Sequence, residues 1–123
     1  MTQMIEVKTA DLIGPALDWA LAKAEDMRQH TPADLKYTYW YAGERCIGTH
    51  WSPSTNWSQG GPLIASHQVN LHSPQTSDDC WAAWVTIRGK DFCQGGWQPL
   101  VAACRAIVAA KLGDVVSVPT ELI

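Results

Sequence analysis

This 123-residue chain is poor in charge, with 17% of its residues charged, and its 9 Lys and Arg gather in no cluster. A phosphate backbone needs such a basic stripe, so DNA or RNA binding through the backbone is not expected. No window holds the roughly 18 consecutive apolar residues of a membrane span. The opening "MTQMIEVKTADL" has early acidic residues and no apolar core, so a secretory signal is not expected. Without one, the "NWS" triplet at Asn56 is not read as a glycosylation site. The four cysteines, Cys46, Cys80, Cys93 and Cys104, show no C-x-x-C spacing, which argues against a zinc site and for reduced, mostly buried thiols. The histidines, His30, His50, His67 and His72, form no H-E-x-x-H or deaminase pattern. The acidic residues supply no close pair for glycosidase chemistry. No metal and no cofactor is expected.

What the chain has in quantity is tryptophan: seven, against one phenylalanine. A hydrophobic fraction of 46% and a net charge of −3 fit a folded globule, and the length fits one domain, residues 1–123. "MIEVKT" alternates as a strand. Thr9 or Asp11 can then cap a helix running through "GPALDWALAKAEDMRQ", with Pro15 in its first turn and Leu17, Ala20, Leu21, Ala24 and Met27 on one face. "LKYTYWYAG" and Arg45 to Gly48 read as strands about a turn, as do "QVNLHS" and "CWAAWVTIR". "GKDFCQGGW" reads as a loop; its Lys precedes the glycines, so it is no phosphate loop. "QPLVAACRAIVAAKLG" is a helix with Pro99 near its start and Gly113 as its stop, and with Leu100, Ala103, Cys104, Ile107 and Val108 as its buried stripe. The tail is apolar enough to pack back. The expected fold is α+β, a small antiparallel sheet of four to five strands layered between an N-terminal and a C-terminal helix.

The stretch "WSPSTNWSQGGPLI" carries the strongest chemical signal. Asn56 can cap a helix starting near Trp57, leaving backbone N–H groups outward beside the hydroxyls of Ser52, Ser54 and Thr55. Trp51 and Trp57 can wall that anion cradle and stack on a flat ring. The competing reading puts both rings in the core and the hydroxyls in turns. Arg105, among small residues of the last helix, has room to reach a carboxylate or ligand anion, or else is an ordinary solvated arginine. His50 beside Ser52 or Ser54 supplies a base and a nucleophile but no third orienting group.

Three blocks, "VKTADLIGPALDWALAKAE", "PSTNWSQGGPLI" and "PLVAACRAIVAAKLGDVVSVPTEL", resemble the NinX-type proteins of tailed phages, over about two-thirds of the chain. A more distant similarity runs to phage "ABA sandwich" domains, which share a W-x-P-S-T-D-like centre and a C-terminal Arg-Ala helix. A Trp-Pro-Ser centre is also similar to that of small phage proteins that sequester nucleotide-derived immune signals. The resemblance implies a phage product in the cytoplasm of the infected host and lends no established activity. Its motif falls on Pro53, Ser54, Thr55, Asn56, Trp57, Gly60, Gly61 and Pro62, with Arg105 in the last block. Asn56 stands where the pattern usually has Asp, which keeps capping and loses proton chemistry. The expected function is therefore non-enzymatic binding of a small nucleotide-like ligand by Trp51, Ser54, Thr55, Asn56, Trp57, Gly60, Gly61 and Arg105. The alternative is a module that docks on a host or phage protein, or on a second copy of itself as a homodimer.

Overall fold

A computed structural model describes residues 3–34 and 36–123. Leu35, the first residue of the segment expected as a strand, lies outside it, as do Met1 and Thr2. The first strand, β1 (Met4–Lys8), is followed by a single 3-10 turn and by helix α1 (Gly14–Ala24). The expected capping by Thr9 or Asp11 does not occur: Ile13 occupies the cap position without a side-chain bond. Thr9 is buried instead. Its hydroxyl donates to Gly113 O at 2.6 Å and its N–H to Asp114 O at 2.8 Å, tying the chain's two ends together.

Helix α1 stops earlier than its periodicity predicts because Asp26 turns left-handed (φ 55°). Asp26 N–H donates to Lys23 O and Met27 N–H to Ala22 O, the paired bonds of a Schellman stop. Residues expected as helix thus become strand β2 (Arg28–His30), which pairs with β3 (Tyr39–Ala42), itself paired with β4 (Arg45–Gly48). Helix α2 (Trp57–Ser66) runs through the Gly60-Gly61-Pro62 sequence and ends the same way, with Gln68 left-handed (φ 52°).

A second sheet holds β5 (Asn70–His72), β6 (Trp81–Ile87) and β7 (Lys90–Gly96), in that order and all antiparallel. The glycine-rich segment read as a loop is therefore a strand, in register with β6 from Ile87↔Lys90 to Trp81↔Gly96. Arg88 and Gly89, both at positive φ, form the two-residue turn that suits such a hairpin. Helix α3 (Pro99–Leu112) follows, and β8 (Val115–Pro119) returns to pair antiparallel with β1.

The α+β class stands, but the described residues hold eight strands in three small sheets rather than one sheet layered between two helices. The reason lies in α3. Nine of its residues are buried, in directions well beyond one stripe: Leu100 to Cys104 and Ala106 to Ala109. A helix apolar nearly all round must be covered on several sides. β6 and β7 cover one side, α1 packs directly on another, and α2 and β8 add further contacts. Leu17, Leu21, Ile107 and Val108 are fully enclosed where α1 meets α3, each worth about 1.5–3 kcal/mol of burial. The cysteines are free and less buried than expected. Only Cys104 is enclosed, whereas Cys46 and Cys93 lie exposed on strands.

Candidate functional site

Residues 51–59 are held by a dense set of short-range bonds. Ser52 O accepts from Thr55 N–H (3.1 Å) and Asn56 N–H (2.9 Å), closing the turn that Pro53 stiffens. Asn56 Oδ1 then accepts from Ser58 N–H at 2.9 Å, capping α2 as its sequence position predicts. Gln59 braces the turn from inside the helix, accepting from Ser52 N–H (2.7 Å) and donating to His50 O (2.8 Å). The turn is anchored to α1 through Asp18, whose main-chain oxygen accepts from Trp51 Nε1 (3.0 Å) and whose Oδ1 accepts from Ser54 N–H (2.9 Å). Asp18 is only 6% exposed. Burial pushes its pKa above the ordinary value, against the opposing pull of the Ser54 amide and hydroxyl.

Two glycines allow the next step of assembly. A Cβ on Gly60 would stand 2.5 Å from Pro53 O and 2.6 Å from Leu100 Cδ2, so only glycine lets α2 seat against the turn and the start of α3. A Cβ on Gly96 would meet Ala102 N at 2.8 Å, so the end of β7 passes just under the first turn of α3. These close approaches bring together the starts of all three helices. Around a cavity of about 350 Å³ stand Ile13 and Gly14 where α1 begins, Thr55 and Trp57 on either side of the α2 cap, and Gln98 to Val101 where α3 begins. Neither α1 nor α3 has a side-chain cap, and each carries a proline in its first turn. Uncapped first-turn amides and three positive dipole ends favour an anion there.

Ser54 completes the wall. Its residue is 2% exposed, and its hydroxyl, though close to Asp18, has no hydrogen bond of proper geometry among the described residues. A buried unpaired hydroxyl is costly unless something else satisfies it. Trp57 is 56% exposed at the rim. Ile13, also in the lining, is 64% exposed, and Trp97, one residue before Gln98 of the lining, is 74% exposed.

The residues singled out from sequence thus divide. Ser54, Thr55 and Trp57 line this cavity, whereas Asn56 caps the helix beside it. Gly60 is a packing position behind the wall, and Gly61 has open space around it. Trp51 faces away, lining a different cavity with Trp19 and Trp40. Arg105 lies outside the lining: its Nε donates to Leu12 O and its Nη1 to Gly95 O, both at 2.8 Å. Those carbonyls precede Ile13-Gly14 and Gly96-Trp97, so the guanidinium ties together the segments that lead into α1 and α3. Burial lowers its pKa, against the influence of Asp11. His50 engages Thr49 Oγ1 at 3.0 Å and bonds neither Ser52 nor Ser54. Ile13, Gly14, Asp18 and the first turn of α3 were not legible as site residues; the two first-turn prolines mark helix starts but not their convergence. Among the described residues no three His, Cys, Asp or Glu could hold a metal ion, and no helix is long and apolar enough to cross a membrane.

Residues 8–111 match the family model described as Bacteriophage P22, NinX. The chain belongs to the NinX family. A search of curated proteins returned no match. The NinX match spans α1, α2 and α3 whole through Lys111, and with them every residue that lines the cavity.

Proposed function

We propose that this phage protein binds, without turning over, a small nucleotide-like anion in the cavity where the three helices begin. The observation that carries the reading is the convergence of three helix N-termini, two of them without a side-chain cap, beside the buried Ser54 hydroxyl. A phosphate group suits the amides and the hydroxyl, and the exposed Trp57 ring offers a platform for a base. Holding rather than reacting fits the site because His50, the base expected from the sequence, bonds neither serine. The protein would act in the cytoplasm of the infected host, as a store or sink for its ligand.

Calorimetric titration with mono-, di- and cyclic nucleotides tests this. One class should bind saturably, with Trp57→Ala weakening it by about tenfold or more through lost stacking. Ser54→Ala should weaken the phosphate-bearing compound and leave its nucleoside unaffected. No binding by any nucleotide to folded protein contradicts the proposal.

A second reading rests on a separate observation, the exposed apolar side chains of Ile13 and Trp57 in the cavity lining and of Trp97 one residue before it. Such a patch suits docking on a host or phage protein, or on a second copy of this chain. A stoichiometric partner, or a homodimer in sedimentation, that is lost on Trp97→Ala while nucleotides fail to bind would favour it.

A further inference from the structure

We propose that the cavity walled by Trp19, Trp40 and Trp51 is a second, separate site, built for a small organic cation of the methylated-ammonium class. Its volume is about 340 Å³, and it shares no lining residue with the three-helix cavity. Three of the seven tryptophans meet there from three different elements: Trp19 from α1, Trp40 from β3 and Trp51 from the turn. Indole faces attract cations through the ring quadrupole, and cages of such rings are how methylated ammonium groups are held when desolvated. Trp51 is fixed for that role because its Nε1 is committed to Asp18 O.

The charge of the cavity points the same way. Asp18 and Glu121 line it, Gln29 adds an amide, and no described Lys, Arg or His is among its lining residues. Asp18 is more than nine-tenths buried, its Oδ1 accepts from Ser54 N–H at 2.9 Å, and no cation among the described residues pairs with it. A buried carboxylate with no counter-ion carries a desolvation cost that a bound cation would offset. Lys23 does not fill this role: its ammonium stands 5.1 Å from the Trp19 ring centroid but is not part of the cavity wall. That contact does show the Trp19 ring already receiving a cation. The methylated class is favoured over a bare metal ion because three indoles offer no lone-pair ligand and, among the described residues, no three carboxylate, imidazole or thiol groups gather to hold one. A bulky, weakly hydrated cation gives up little water to enter them.

The test is an NMR titration of the ¹⁵N-labelled full chain with choline and, in parallel, with its uncharged isostere 3,3-dimethylbutan-1-ol, following the indole Nε–H signals. Choline should shift the Trp19, Trp40 and Trp51 signals saturably, with the alcohol at least about tenfold weaker. Asp18→Asn keeps the acceptor for Ser54 N–H and should weaken choline by about tenfold. Glu121→Gln, on the exposed surface, should weaken it by a smaller factor and serves if the first variant does not fold. Equal shifts from choline and the alcohol would reduce the cavity to an apolar pocket and overturn the proposal. So would choline shifts confined to Trp57, or no shift at all.

Discussion

Trp51 and Trp57 stand six residues apart on one short turn and are put to opposite uses. Trp51 is half-buried, packed against the main core, with its indole N–H spent on Asp18 O. Trp57 is 56% exposed on the first residue of α2, and its indole N–H has no partner among the described residues. Both line a cavity, but not the same one. The difference shows that a tryptophan-rich motif need not be one pocket. A rigid turn can present one ring as wall and mount to one site and leave the next ring free at another.

Stability measurements should split the pair most widely. Trp51→Ala removes a packed, hydrogen-bonded ring and should cost about 3 kcal/mol in urea denaturation. Trp57→Ala should stay within about 0.5 kcal/mol, as surface positions generally do. Equal losses would mean that the two rings serve one structural purpose. The adjacent glycines offer a smaller contrast. Gly60→Ala must push a Cβ against Pro53 O and Leu100 Cδ2 and should lose about 2 kcal/mol. Gly61→Ala, with nothing within 4 Å of its Cβ, should gain up to about 1 kcal/mol from helix propensity. A harmless Gly60→Ala would show that α2 does not seat tightly on the turn.

The smallest effect is read in pH. Burial raises Asp18 above its ordinary 3.8, so the folded chain holds that proton more tightly than the unfolded chain. Stability from this group is therefore present at low pH and falls as pH rises from about 3.8 through the raised folded-state value. Asp18→Asn removes the dependence, so its stability relative to the natural chain should climb across that window and then level off. Denaturation midpoints of the two proteins at a series of pH values give the gap. A gap that shrinks with rising pH would mean that Asp18 is stabilised as a carboxylate rather than desolvated.

Local chemistry was readable in the sequence and long-range convergence was not. The bounds of β4, the start of α3 at its proline and its stop at Gly113, and the Asn56 cap all follow from signals within a few residues. β7 was hidden because its glycines read as loop, whereas Gly96 lets α3 lie across the end of the strand. The end of α1 was hidden because an aspartate, not a glycine, takes the left-handed position. The site depends on contacts distant in sequence: Gly60 on Leu100, Ser54 on Asp18, and Arg105 on Leu12, 93 positions away. Spacing marks each helix start but carries no information on which starts will meet. The same holds for the sheets, where alternation marks a strand without naming its partner.

The central claim is that the three-helix cavity, and not the tryptophan-lined one, takes a nucleotide-like anion. The most direct test is to add a panel of nucleotides to ¹⁵N-labelled protein and follow all seven indole N–H signals. The Trp57 signal should move saturably with the first-turn amides of α3, while the Trp51 signal stays in place. Movement of Trp51 without Trp57, or no movement with any nucleotide, would contradict the claim.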